Sequence, residues 1–78
     1  MEKIKNILLD MCVDKMNEKV TISELKSILS FLEDKGMGEY TIKVGQYGNS
    51  QPIWYDDIWW SITHGDFIKD ESINIESL

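Results

Sequence analysis

The chain of 78 residues contains no arginine, and cysteine, proline and histidine occur only once each. The single Cys12 excludes an internal disulfide, and it cannot form a structural zinc site with one histidine. No apolar run approaches the roughly 20 residues that cross a bilayer, and charges interrupt the segment after Met1 every few positions. We therefore expect one domain over residues 1–78, without metal or other cofactor, in the cytoplasm and away from membranes.

Basic residues are scarce in the second half of the chain. Residues 1–44 carry eight acids and seven lysines, a net charge of −1, whereas residues 45–78 carry six acids and only Lys69, a net charge of −5. Nucleic-acid binding needs a basic footprint, so direct contact with DNA or RNA is not expected. An acidic half instead attracts basic protein surfaces.

Catalytic signatures are also missing. His64 has no serine, cysteine or carboxylate partner at a recognisable nucleophile spacing. The segment 66–70 lacks the alternating ligands and the glycine turn of a calcium loop. Gly45 and Gly48 have neither the strand–loop–helix context nor the following Lys-Ser or Lys-Thr of a phosphate loop. We expect a protein that is not an enzyme.

The first predicted helix covers residues 2–17. One face follows helical spacing, with Ile4, Ile7, Leu8 and Met11. A second apolar strip lies roughly 100–140° away, at about 100° per residue, and is made of Leu9, Val13 and Met16. Two explanations remain open: the helix is buried between two elements, or it forms a homodimer through this second strip.

The second predicted helix covers residues 22–35. Thr21 and Glu24 form a capping box, in which each side chain bonds the other residue's backbone N–H. Val20 and Leu25 flank the box as a hydrophobic staple. Gly36 follows as a C-terminal stop in the left-handed conformation, where a side chain would be strained.

The period of the apolar residues changes to two after Gly38, which predicts strands at 40–44, 53–55, 58–63 and 72–77. The expected fold is α+β, with the two N-terminal helices packed on one face of a three- or four-stranded antiparallel β-meander.

Three tryptophans, Trp54, Trp59 and Trp60, fall within seven residues. If 58–63 is a strand with Trp60 inside, Trp59 lies on the open face and suits a protein-binding anchor. The alternative is that the loop 45–52 covers Trp59. The candidate partner-binding residues are Trp54, Tyr55, Asp56, Asp57, Trp59, Asp66, Asp70 and Glu71.

From Val20 onward the chain resembles small phage and prophage proteins of about this size. The resemblance lies in Thr21–Leu25, which opens a short helix, in Asp34–Gly38, which closes it, and in the strand Tyr40–Val44. Pro52–Ile53 and Asp56–Ile58 complete it. Such proteins often inhibit host machinery stoichiometrically, as anti-CRISPR and other anti-defence proteins do, and this is the function that the resemblance implies.

The leading hypothesis is an inhibitor in the bacterial cytoplasm that docks onto the basic, nucleic-acid-binding surface of a host protein such as a defence nuclease. One alternative is a small-ligand binder that stacks a nucleobase on the aromatic face. Another is a self-assembling phage structural component.

Overall fold

The computed structural model describes residues 2–45 and 51–76. Within them the elements run helix, helix, strand, helix, strand, strand, which is the α+β class expected from the sequence. Their bounds are α1 Glu2–Val13, α2 Ile22–Leu32, β1 Thr41–Gly45, α3 Tyr55–His64, β2 Ile68–Lys69 and β3 Ser72–Glu76. None of the helices in these ranges has the length and hydropathy of a membrane span.

The two N-terminal helices are present but shorter than predicted. α1 ends at Val13 rather than at 17, because tight turns replace the last helical turn, with Lys15 N–H bonded to the Cys12 carbonyl at 2.9 Å. α2 ends at Leu32 rather than at 35. The chain leaves α2 through a wide turn over Glu33–Met37, in which Gly36 has a φ of +89°. The predicted left-handed stop at Gly36 is therefore confirmed.

The capping box at the start of α2 is confirmed in both directions. The Glu24 N–H donates to the Thr21 hydroxyl at 3.2 Å, and the Thr21 N–H donates to the Glu24 carboxylate at 3.0 Å. This local signal was reliable because it depends only on residues three apart in the chain.

The strand predicted at 58–63 is wrong, since α3 occupies Tyr55–His64. Of the strand predicted at 53–55, an isolated antiparallel bridge between Trp54 and Lys19 is present, and α3 begins at Tyr55. Ile58 and Ile62 are four apart, a spacing that fits both a strand and a helix. Their shared burial, together with buried Tyr55 and Ser61, follows the helical period. Packing of this face against the core overrides the strand preference of the aromatic and β-branched residues.

The sheet is mixed rather than the predicted antiparallel meander. Its order is β1-β3-β2, with β1 parallel to β3 and β2 antiparallel to β3. A parallel pair needs a crossover connection, and α3 lies within it. The strand predicted at 40–44 is confirmed as β1, shifted by one residue. The strand predicted at 72–77 is confirmed as β3 from Ser72 to Glu76, with residue 77 outside the described residues.

The short hairpin between β2 and β3 was not predicted from the sequence. Its two central residues, Asp70 and Glu71, have φ values of 51° and 56°. Positive φ at both positions defines a type I′ turn, whose twist matches that of the flanking strands.

The core lies between the helices and the sheet, and each of the three helices contributes to it. Cys12 is 1% exposed. The buried apolar residues are Leu8, Cys12, Ile28, Leu32, Met37, Tyr55, Ile58, Ile62, Phe67, Ile73 and Ile75.

Candidate functional site

Helix α3 determines which tryptophans reach the surface. Trp60 is 38% exposed, whereas Trp59 is partly buried and packs against the core. The sequence predicted the reverse, with Trp60 inside and Trp59 on the open face. That prediction was wrong because successive residues lie about 100° apart on a helix rather than on opposite faces.

Trp60 belongs to a compact aromatic group at the C-terminal end of α3. The His64 imidazole stacks on the Trp60 indole, with ring centroids 4.0 Å apart and an interplanar angle of 16°. The centroid of the Trp59 ring lies 6.1 Å from that of His64, and the two rings are tilted by 52°. We call Trp59, Trp60 and His64 the α3 aromatic cluster. Once the segment is known to be helical, the spacing of four between Trp60 and His64 indicates their contact.

Thr63 holds the imidazole in place. Its hydroxyl lies 2.7 Å from His64 Nδ1 and 2.9 Å from the Trp59 carbonyl oxygen. When the hydroxyl proton is donated to that carbonyl, Nδ1–H of His64 is the donor to Thr63. The stack is therefore oriented by hydrogen bonds as well as by ring contact.

Trp54 lies at the opposite end of α3, before its first turn. Its indole is 38% exposed and lies under the Lys19 ammonium, 5.4 Å from the ring centroid. Its backbone pairs with Lys19 in an antiparallel bridge. Six residues separate Trp54 from Trp60, about 9 Å along a helix axis. The structure thus does not bring these two exposed tryptophans into one anchor.

Tyr55 is 3% exposed, so its side chain is not part of a contact surface. Lys15 Nζ lies 5.8 Å from the centroid of its ring and donates to the Glu24 carboxylate at 2.7 Å. The hydrogen bonds from Lys15 and Thr21 lower the pKa of Glu24 to about 2. Burial, with the nearby Glu24 charge, raises the pKa of Tyr55 to about 12. This network joins the starts of α2 and α3.

Two candidate acids lie in the first turn of α3 and have different roles. The Asp57 carboxylate accepts from the Trp54 N–H at 3.1 Å, so it caps the helix. Asp56 is exposed and lies four residues before Trp60, which places both on one face of α3.

The remaining candidate acids lie beyond the other end of α3. Asp66 and Asp70 line an open polar groove of about 260 Å³ on the outer face of the sheet, with Lys43 and Lys69. Asp66 pairs with Lys69 at 3.4 Å, and both side chains are exposed. Glu71 is exposed in the hairpin turn. The eight residues predicted from the sequence therefore form no single patch.

Metal ligation has no geometric support in the part of the chain that the structure describes. Nowhere in residues 2–45 and 51–76 do three His, Cys, Asp or Glu side chains converge as metal ligands would.

A second surface feature was not anticipated from the sequence. An open groove of about 400 Å³ lies between α2 and β1, and its floor is mainly apolar. Ile22 at its edge is 89% exposed, and Ile42 on β1 is 52% exposed. Alternation along residues 40–44 predicted a half-buried strand, but every residue of β1 is exposed.

What the geometry offers is therefore an exposed, oriented aromatic stack with a carboxylate on the same helix face. No known protein family, no curated protein and no solved structure matches this chain.

Proposed function

We propose that the protein is a non-enzymatic protein-binding module whose contact surface is the outer face of α3. That face, here called the α3 surface, consists of Asp56, Trp60 and His64. The observation that carries the proposal is the stack of His64 on Trp60, which keeps a large aromatic side chain exposed and ordered.

Ordering matters because a flexible anchor loses conformational entropy on binding. Immobilising a side chain at an interface costs about 0.5–1.5 kcal/mol, and a preorganised side chain avoids much of that cost. Trp60 sits on a helix and is held by His64, which Thr63 in turn orients. Tryptophan is also among the residues most enriched in interface hot spots.

Charge favours a basic partner. Asp56 lies on the α3 surface itself. Asp66 lies just beyond this surface in the chain, two residues after His64. The chain as a whole carries a net charge of −6. A basic surface that normally binds nucleic acid would be attracted to this side of the molecule.

The class of partner we propose is a bacterial defence nuclease complex, inhibited by occlusion of its nucleic-acid-binding surface. The resemblance to small phage proteins supports this choice, and so do the acidic charge and the exposed aromatic anchor. The same Trp60 edge is the place where a nucleobase would stack under the alternative ligand-binding function.

The test is inhibition of target-DNA cleavage by purified CRISPR effector nucleases of low-GC bacteria, with direct measurement of binding. The protein should inhibit one of them, and Trp60→Ala should weaken binding by about 30-fold or more, as expected for a hot spot of at least about 2 kcal/mol. Moderate salt should slow association, because charge complementarity acts mainly on that rate.

Trp54→Ala is the matched control, because Trp54 has the same residue type and the same exposed fraction of 38%. It should leave inhibition unchanged. Loss of binding in Trp54→Ala but not in Trp60→Ala would place the contact at the other end of α3. Absence of inhibition across the nucleases, with nucleobase binding that quenches tryptophan fluorescence, would favour the ligand-binding alternative.

A further inference from the structure

Strand β1 is the edge of the sheet on which apolar side chains are most exposed. It pairs with β3 along its whole length, from Thr41 opposite Ser72 to Gly45 opposite Glu76. Among the described residues, no strand pairs with its other side. An unpaired edge with apolar side chains is a template for pairing with another strand.

The direction of the backbone groups follows from one hydrogen bond. The Thr41 N–H donates to the Glu71 carbonyl at 3.2 Å, so Thr41 faces β3. Backbone groups alternate along a strand, which means that Lys43 and Gly45 also face β3. The N–H and C=O groups of Ile42 and Val44 therefore point away from the sheet, toward the free edge.

The side chains of the same two residues lie over the helix-facing side. Ile42 and Val44 are 52% and 45% exposed and border the apolar space next to α2. Lys43 points to the other face, where it lines the polar groove with Asp66. Unused hydrogen-bonding groups and uncovered apolar side chains thus coincide at Ile42 and Val44.

We propose that β1 pairs antiparallel with β1 of a second copy of this chain, around a two-fold axis at Lys43. This register places Ile42 opposite Val44 of the second copy, and the reverse, so all outward-facing groups of both residues find partners. The two three-stranded sheets become one six-stranded sheet, and each apolar groove is extended by the side chains of the second copy.

Charge disfavours a basic partner at this edge. The groove and β1 carry Lys26, Lys43 and Glu33, a net charge of +1 by count, in a chain of net −6. Repulsion between two copies is therefore weaker at this edge than between their acidic surfaces. The two Lys43 residues lie opposite each other across the axis, which opposes pairing, but each lies in a groove with Asp66 and Glu76.

The test combines sedimentation equilibrium with amide hydrogen exchange over a range of protein concentrations. We expect reversible dimers of twice 9.1 kDa, stabilised by added salt because like charges are then screened. The Ile42 and Val44 amides should exchange more slowly as the concentration rises. The Thr41 and Lys43 amides should be protected at all concentrations, since they bond β3.

Val44→Lys replaces an apolar side chain at the proposed interface by a charged one, and it does so twice in a symmetric dimer. The dimer dissociation constant should therefore rise at least about tenfold. Val13→Lys is the matched control: Val13 on α1 is 58% exposed and belongs to the apolar strip that suggested a dimer through the first helix. It should leave the dimer intact.

A protein that stays monomeric at high concentration would overturn the proposal. So would a dimer disrupted by Val13→Lys, or one in which the Ile42 and Val44 amides exchange as fast as in the monomer. The exchange measurement needs no variant, so it decides the matter even if Val44→Lys fails to fold. Neither substitution touches the α3 surface, so partner binding through Trp60 is tested separately.

Discussion

The His64 imidazole lies parallel to the Trp60 indole, with centroids 4.0 Å apart, on the exposed side of α3. A stack of this kind contributes about 0.5–1.5 kcal/mol beyond the area it buries. Because the rings remain partly exposed, its larger effect is to restrict the orientations of Trp60. The pair links a local structural contact to the proposed binding function.

His64→Ala should therefore weaken partner binding while leaving the fold intact. The loss of stability should not exceed about 1 kcal/mol, since His64 is exposed and its contacts are local. Thermal unfolding and binding measurements on the same variant separate the two effects. His64→Phe, which keeps an aromatic ring over Trp60, should retain most of the binding, and equal binding by both variants would argue against the stack as an ordering device.

Ser61→Ala should destabilise the protein by about 1–3 kcal/mol. Ser61 is 0% exposed, and its hydroxyl accepts from the Glu76 N–H at 2.9 Å while donating to the Asp57 carbonyl at 2.8 Å. Alanine leaves the Glu76 N–H, which is part-buried, without that acceptor, and an unmet donor of this kind costs up to this amount. Urea unfolding measures the change. Ser27→Ala is the control, because Ser27 makes the same bond to its own helix but is exposed.

Stability should decrease in acid through Glu24. Its folded pKa of about 2 lies below its ordinary value of 4.5, so the ionised form is stabilised by folding. The contribution is complete above pH 4.5 and is lost as the pH falls toward 2. Unfolding free energies measured across this range should show a shallower pH dependence for Glu24→Gln. Lys15→Met, which removes the partner at 2.7 Å, should have a similar effect.

Stability should also decrease in alkali through Tyr55. Its pKa is raised from 10.0 to about 12, because burial and the Glu24 charge disfavour the phenolate. Folding therefore stabilises the neutral form, and this stability is lost as the pH rises from 10 toward 12. Tyr55→Phe should reduce the pH dependence in this window. Burial also raises the pKa of Cys12 to about 11, so a Cys12→Ser background isolates the tyrosine contribution.

Glu71→Gly should stabilise the protein by up to about 1 kcal/mol. Glu71 has a φ of 56° in the type I′ turn, a conformation that strains residues with a side chain and suits glycine. Chemical unfolding measures the gain. Glu39→Gly is the control at an exposed position without positive φ, and it should destabilise, because glycine there only adds entropy to the unfolded chain.

Features that depend on neighbouring residues could be read from the sequence alone. Thr21 and Glu24 fixed the start of α2, and Gly36 marked the turn that follows it, because caps and left-handed stops involve residues within one helical turn. The helix–helix–strand order of the first half followed from such signals.

Only the tertiary structure decided that residues 55–64 form a helix. Ile58 and Ile62 satisfy both periods, so the choice between them rests on packing: as a helix, the segment buries Tyr55, Ile58 and Ile62 and connects two parallel strands. The pairing of β1 with β3 joins residues that are far apart in the chain, so no local pattern indicates it. Because residues 55–64 form a helix, Trp60 is exposed in place of Trp59. The sequence by itself thus determined the elements with strong end signals and the acidic, aromatic character of the surface, whereas the fold determined which aromatic residue is presented on it.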